Sequence, residues 1–105
     1  MVNKILTAAG VPYRRARYTG PQPATYAVYL DHITTDGPDG MPCIFTHDVD
    51  IEVYEAQPDD VAEAAIEAAI TAAGLQWTKQ DRYWLQTEQR YQVVYSITYR
   101  EKRRL

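Results

Sequence analysis

Polar and apolar residues alternate most cleanly in "CIFTHDVDIEVYE", residues 43–55. Cys43, Phe45, Val49, Ile51 and Val53 fall on one side, and Thr46, Asp48, Asp50 and Glu52 on the other. Period two predicts a half-buried strand. "ATYAVYLD", residues 24–31, is short and rich in Tyr and Val and predicts a second strand. Between them "HITTDGPDGMP", residues 32–42, carries two prolines and repeated Asp-Gly-type turn signals, so it reads as a long loop at a hairpin tip. "RYQVVYSITYRE", residues 90–101, alternates again, with Tyr91, Val93, Tyr95, Ile97 and Tyr99 on one face. "LQWTKQDRYWL", residues 75–85, predicts a further strand.

The period changes to that of a helix over residues 57–74, "QPDDVAEAAIEAAITAAG". Pro58 and two aspartates suit its start, Gly74 its end. Ala62, Ile66, Ala69, Ile70 and Ala73 form the apolar stripe, with Glu63, Glu67 and Thr71 expected on the opposite, solvent side. A short helix opens the chain in "NKILTAAGVPY", with Asn3 as its expected cap, Ile5, Leu6 and Ala9 as its stripe and Gly10 as its left-handed end. Residues 13–23, with two prolines and a glycine, read as an irregular connection. The predicted order is α-β-β-α-β-β. The fold class is α+β: a four-stranded, mostly antiparallel sheet with two helices on one face.

Length bounds this picture to one domain spanning residues 1–105, with a basic tail from residue 99. A chain of this size buries a core without disulfides or metals, and the single Cys43 cannot form an internal disulfide. No charged leader with an apolar run and no long apolar segment occurs, so the expectation is a soluble protein without signal peptide or membrane span. The net charge of −3 hides an asymmetry: eleven acidic residues and no Lys or Arg between Asp31 and Glu67. Basic residues gather as Arg14, Arg15 and Arg17 and as Arg100, Lys102, Arg103 and Arg104. Such a distribution serves solubility, or head-to-tail docking between copies.

Candidate chemistry changes the picture little. His47, Asp48, Asp50 and Glu52 have the composition of a metal site, but neighbours on a strand point to opposite faces. His47 therefore cannot join Asp48 and Asp50 around one ion, and successive carboxylates stand roughly 6–7 Å apart. Their expected partners are basic residues on a neighbouring strand or subunit, such as Arg90 or Arg100. Cys43 and His47, four positions apart on a strand face, are too distant to act as nucleophile and base. No phosphate loop, zinc spacing or serine elbow is present. The tyrosines of residues 91–99 and Trp84 could stack on bases, but a helix-facing role accounts for them and the acidic middle opposes a polyanion. The expectation is a protein without catalytic, cofactor or metal residues.

The order of elements resembles a known pattern. A short helix ending in "GVPY", a strand like "TYAVYL", a long loop, "DVDIEVYE" leading into an amphipathic helix, a tryptophan-bearing strand and "RYQVVYSITY" resemble the small tail-completion or tail-terminator-like proteins of phage and prophage tail modules, from about Ile5 to Tyr99. The basic end from Arg100 and the "RRAR" stretch have no counterpart in that pattern. The resemblance implies a structural, non-enzymatic protein of the virion tail, assembled in the host cytoplasm. It implies a homo-oligomeric, typically hexameric ring that caps the tail tube, meets the major tail tube protein and the head–tail connector, and lets DNA pass through its lumen. On that reading Thr34, Thr35, Asp36, Asp39 and Met41 form a docking loop, Asp48, Asp50 and Glu52 an acidic lumen face, and Arg100, Lys102 and Arg103 an inter-subunit basic patch. A stand-alone cytoplasmic interaction module, or another small head–tail neck protein, is the competing reading.

Overall fold

The structure, a computed structural model, describes residues 1–36 and 43–103. Along the chain come α1 (Val2–Ala9), β1 (Tyr13–Arg15), β2 (Thr25–Asp36), β3 (Cys43–Glu55), α2 (Asp60–Ala72), β4 (Thr78–Lys79), β5 (Tyr83–Leu85) and β6 (Arg90–Arg103). These strands make one six-stranded mixed sheet in the order β1-β2-β3-β6-β4, with β5 also pairing with β6. The four-stranded, mostly antiparallel α-β-β-α-β-β arrangement expected from sequence is therefore wrong in strand number and order.

Two local causes explain the difference. β1 lies inside the supposed irregular connection and pairs in parallel with β2, Tyr13 opposite Ala27 and Arg15 opposite Tyr29. Three residues are too few to show a period, and the flanking prolines and glycine hide them. The Ala27 amide donates to the Pro12 carbonyl at 2.8 Å and draws the segment onto the sheet. The single strand expected over residues 75–85 is two fragments. Leu75 and Trp77 pack on the core, whereas Lys79 and Arg82 turn to the carboxylates of α2 and interrupt the ladder.

The three long strands β2, β3 and β6 form the frame, antiparallel and in continuous register from Thr25–Glu55 to Asp36–Ile44 and from Cys43–Arg103 to Glu55–Tyr91. Odd-numbered residues of β3 and β6 face the helices. Val49, Ile51, Val53, Val93, Tyr95 and Ile97 meet Leu6 of α1 and Ile66 and Ile70 of α2 in one core, all 3% exposed or less. Both helices thus lie on that face.

α2 begins where Asp59 accepts from the Ala62 amide at 3.0 Å and from the Thr25 hydroxyl at 2.7 Å, a cap that also ties the helix to β2. α1 ends at Gly10, at φ 74°, where its amide and that of Val11 close the last turn. Asn3 is not the cap of α1: Met1 holds that position, and Asn3 accepts from the Tyr29 hydroxyl at 3.0 Å.

The opposite face is partly covered as well. Tyr26 and Val28 are 3% and 5% exposed although they point away from the helices. The segment after β1 folds back over them: Tyr18 packs on Tyr26, Tyr26 stacks on Tyr54 at 5.1 Å, and Arg90 lies over the Tyr26 ring while donating to the Ala24 carbonyl. The molecule is elongated, 50 × 27 × 23 Å. β1 covers β2 only as far as Tyr29, and β4 and β5 cover β6 only as far as Ser96. Residues 31–36, 43–49 and 97–103 consequently form a three-stranded arm beyond the short edge strands.

Candidate functional site

The outer sheet face carries the acidic row. Asp48, Asp50 and Glu52 are set by register opposite Thr98, Ser96 and Val94 of β6. Thr98 donates to Asp48 at 2.8 Å, Ser96 to Asp50 at 2.7 Å, and Tyr54 to Glu52 at 3.0 Å. Burial first, and then the bond to Glu52, pushes the Tyr54 phenol up to about 12. Hydroxyls, not arginines, satisfy this row. Arg100 sits opposite Thr46, one outward step past Asp48, and Arg90 is turned to Ala24 and Tyr26, so neither makes the expected pairing within the chain. Asp48 and Asp50 stay exposed, with no cation in contact among the described residues.

The expected docking and basic residues are distributed over the arm. Thr34, Thr35 and Asp36 are not in a loop but are the last residues of β2, paired with Thr46, Phe45 and Ile44. The reason is continued alternation past Asp31, "HITTD", which the turn-rich residues after it obscured. Asp39 and Met41 lie outside the described residues. Arg100 and Lys102 share the outer face and have no charged partner among the described residues. Arg103 lies on the other face, bonded to Glu101 at 2.6 Å and placed 4.4 Å over the Phe45 ring. The expected basic tail is strand through Arg103, and its three described cations, Arg100, Lys102 and Arg103, serve two faces.

On the inner face of the arm lies a group that sequence spacing did not reveal. His47, 5% exposed, stacks on Tyr99 with ring centres 4.4 Å apart. Its Nδ1 is 3.0 and 3.1 Å from the two Asp31 oxygens, and its Nε2 is 3.1 Å from Glu101. Both nitrogens donate at once only when the ring carries both protons. Asp31 and Glu101 sit on opposite sides of one imidazole ring, each within hydrogen-bond reach of a different nitrogen, a cross-tie through β2, β3 and β6. Their divergence prevents the three groups from converging on one ion. Arg103 first, then His47, holds the Glu101 carboxyl below the usual range. Inward parity of residues 31, 47 and 101 was the available signal; it needed the register to be useful.

A second polar cluster lies between α2 and the β4–β5 strap. Glu55 is fully buried and Glu63 is 3% exposed, against the expectation that Glu63 faces solvent. Arg82 donates to Glu63 at 2.8 Å, to Asp60 at 2.9 Å and to Glu55 at 3.4 Å. Lys79 bridges Glu63 at 2.9 Å and Glu67 at 2.8 Å, and Tyr95 also donates to Glu67. Four carboxylates thus meet two cations and a phenol. As a carboxylate, Glu55 leaves Oε2 buried without a donor; as an acid, it donates to Glu63. Burial first, then the bond and charge of Glu63, pushes Glu55 up to about 8. Burial also pushes Glu63 up, but bonds from Glu55, Arg82 and Lys79 outweigh it and hold this carboxyl low. Burial thus favours a proton shared by the pair, with Glu55 as its holder. The cluster clamps the strap, with Arg82 and Lys79 of the strap each bonded to two or more carboxylates.

The comparisons bear on the fold. No family model and no curated protein sequence matches the chain. The fold matches that of a chain in the solved virion of a native gene transfer agent particle, with a TM-score of 0.65 over 93% of this chain and 84% of that one, at 16% identity. At that identity the likeness concerns the fold alone.

Proposed function

We propose that this protein is a structural subunit of a phage-like virion, and that it works there as a tail-completion ring between the tail tube and the head–tail connector. The observation that carries the reading is the likeness to a gene transfer agent virion chain across 93% of the sequence. The disposition of polar groups supports a structural role. The buried carboxyls are committed to Arg82 and Lys79, and His47 is committed to Asp31 and Glu101. The exposed features are extended: an acidic row on an open sheet face, a projecting arm, and Arg100 and Lys102, which have no charged partner among the described residues. In a ring the acidic row suits a channel wall that DNA passes without sticking, and the end of the arm suits contact with the tube or connector.

Absolute mass by light scattering tests the ring. The expected species is near six times the 12.0 kDa chain at low salt. It shifts toward monomer as salt rises, because exposed charges are screened over about 10 Å at 0.1 M. A strict monomer at millimolar concentration contradicts self-assembly.

A further inference from the structure

The chain carries two histidines, and the arm places them differently. His32 is exposed on the outer face, whereas His47 is buried on the inner face. Its own strand flanks His47 with Phe45 and Val49. Among the described residues, charged or titratable groups face it from three other elements. β2 brings both oxygens of Asp31 to Nδ1, and β6 brings Glu101 to Nε2 and Tyr99 to the ring face. Arg103 binds the same Glu101 oxygen, and Tyr29 approaches Tyr99 while donating to Asn3. From α1, Lys4 and Met1, which carries the chain's amino group, border a cavity beside the ring.

Only a charged imidazole donates from both nitrogens; a neutral one donates from one and turns a lone pair toward the other partner. The two carboxylates are not equivalent. Asp31 offers two oxygens, at 3.0 and 3.1 Å, from a side chain only 12% exposed. Glu101 offers one oxygen at 3.1 Å, is 42% exposed, and has Arg103 as a second partner. It also borders the cavity of about 470 Å³ that Lys4, His47 and Arg103 line. Glu101 therefore has space, solvent and cations to turn to when the ring is neutral, and Asp31 does not. The same cavity gives the ring proton a path to water.

We infer that His47 is a proton-operated lock of the arm. The charged ring ties β3 to β2 through Asp31 and to β6 through Glu101. The neutral ring keeps its Nδ1 proton on Asp31 and releases Glu101, so β6 beyond Ser96 loosens from β3. The locked arm holds one proton more than the released arm, so it is favoured as pH falls. Imidazole chemistry places the change between about pH 5 and 8. The lock stands independently of the ring reading above.

Two measurements on the full chain test it. Two-bond proton–nitrogen correlation spectra, recorded across that range, report the protonation of each ring nitrogen, and a His32→Gln protein assigns the signals. His47 is expected to carry both protons at the acid end and the Nδ1 proton alone at the alkaline end. Hydrogen exchange, corrected for intrinsic rates, follows the arm. Loss of one hydrogen bond to a charged group corresponds to about tenfold in an opening constant. Residues 97–103 are expected to open by that factor as the ring loses its proton, relative to residues 90–96 of the same strand. That reference removes the titration of Glu55 and Glu63, which acts on the whole domain. Glu101→Gln abolishes the rise, because an amide pairs with either form of the ring through its oxygen or its nitrogen. Glu101 is exposed enough for this variant to fold. A His47 ring in one protonation state throughout, a neutral ring protonated at Nε2, arm exchange that does not follow the ring, or a Glu101→Gln protein that keeps the full rise each overturns the lock.

Discussion

Arg82→Ala lowers folding stability by about 3 kcal/mol, roughly 15 °C in Tm for a domain of this size. Arg82 is the hub of the strap: it reaches Glu55, Glu63 and Asp60 from a segment that makes few ladder bonds of its own. Its removal leaves Glu63 with Lys79 alone and Glu55 with no cation in contact. Breaking a buried pair by deleting one partner costs about 3–5 kcal/mol. The guanidinium is 31% exposed, so the lower end applies. The bond to Asp60, whose side chain is 90% exposed, adds nothing to this figure. Chemical denaturation at pH 7 measures the effect. A loss below about 0.5 kcal/mol means that the strap is held by Leu75 and Trp77 packing instead.

The same cluster sets the pH dependence. A carboxyl whose folded value lies above its unfolded one binds its proton more tightly in the folded protein. That stabilisation is complete below the unfolded value and is lost as pH rises through the folded one. For Glu55 the window runs from 4.5 to about 8. Wild-type stability is expected to fall by about 2 kcal/mol across it, discounted for relaxation of the buried pair. Glu63 has the opposite sign: its folded value is depressed, so its contribution is present above 4.5 and is lost as pH falls below that. Glu55→Gln, which keeps the shape and a donor without the ionisation, flattens the slope between pH 5 and 8 and makes the protein the more stable of the two at pH 8. Thermal melts at pH 5, 6.5 and 8 decide it. Parallel slopes for wild type and variant refute the shared proton.

The long elements were legible because their periods are unambiguous. The alternation of residues 43–55 and 90–101 placed the correct residues on the core face, and the stripe Ile66–Ile70 identified α2. What stayed hidden depends on tertiary placement. β1 is three residues long and borrows its order from β2 through a parallel pairing that no local pattern announces. The fragments β4 and β5 read as one strand because Trp77, Tyr83 and Leu85 are good strand residues, whereas the ion pairs of Lys79 and Arg82 decide where the ladder breaks. Glu63 seemed solvent-facing since a carboxylate on an alanine-rich helix usually is. Its burial follows from Arg82, nineteen residues away.

For the candidate site, the face of Asp48, Asp50 and Glu52 was readable, but their partners were not. Ser96 and Thr98 stand opposite the aspartates because of the β3–β6 register, and Arg100 misses them by a single row. The tie of Asp31, His47 and Glu101 spans 70 residues of sequence, and nothing short of that register brings the three together.

The most direct test of the virion role is to delete the gene in a strain that releases particles and examine them by electron microscopy, with an antibody to this protein applied to wild-type particles. The account predicts label at the head–tail junction of wild-type particles. Deletion is expected to yield heads separated from tails, or tails of unregulated length, restored by the gene supplied in trans. Intact particles of normal length after deletion, together with absence of label from purified wild-type particles, would contradict it.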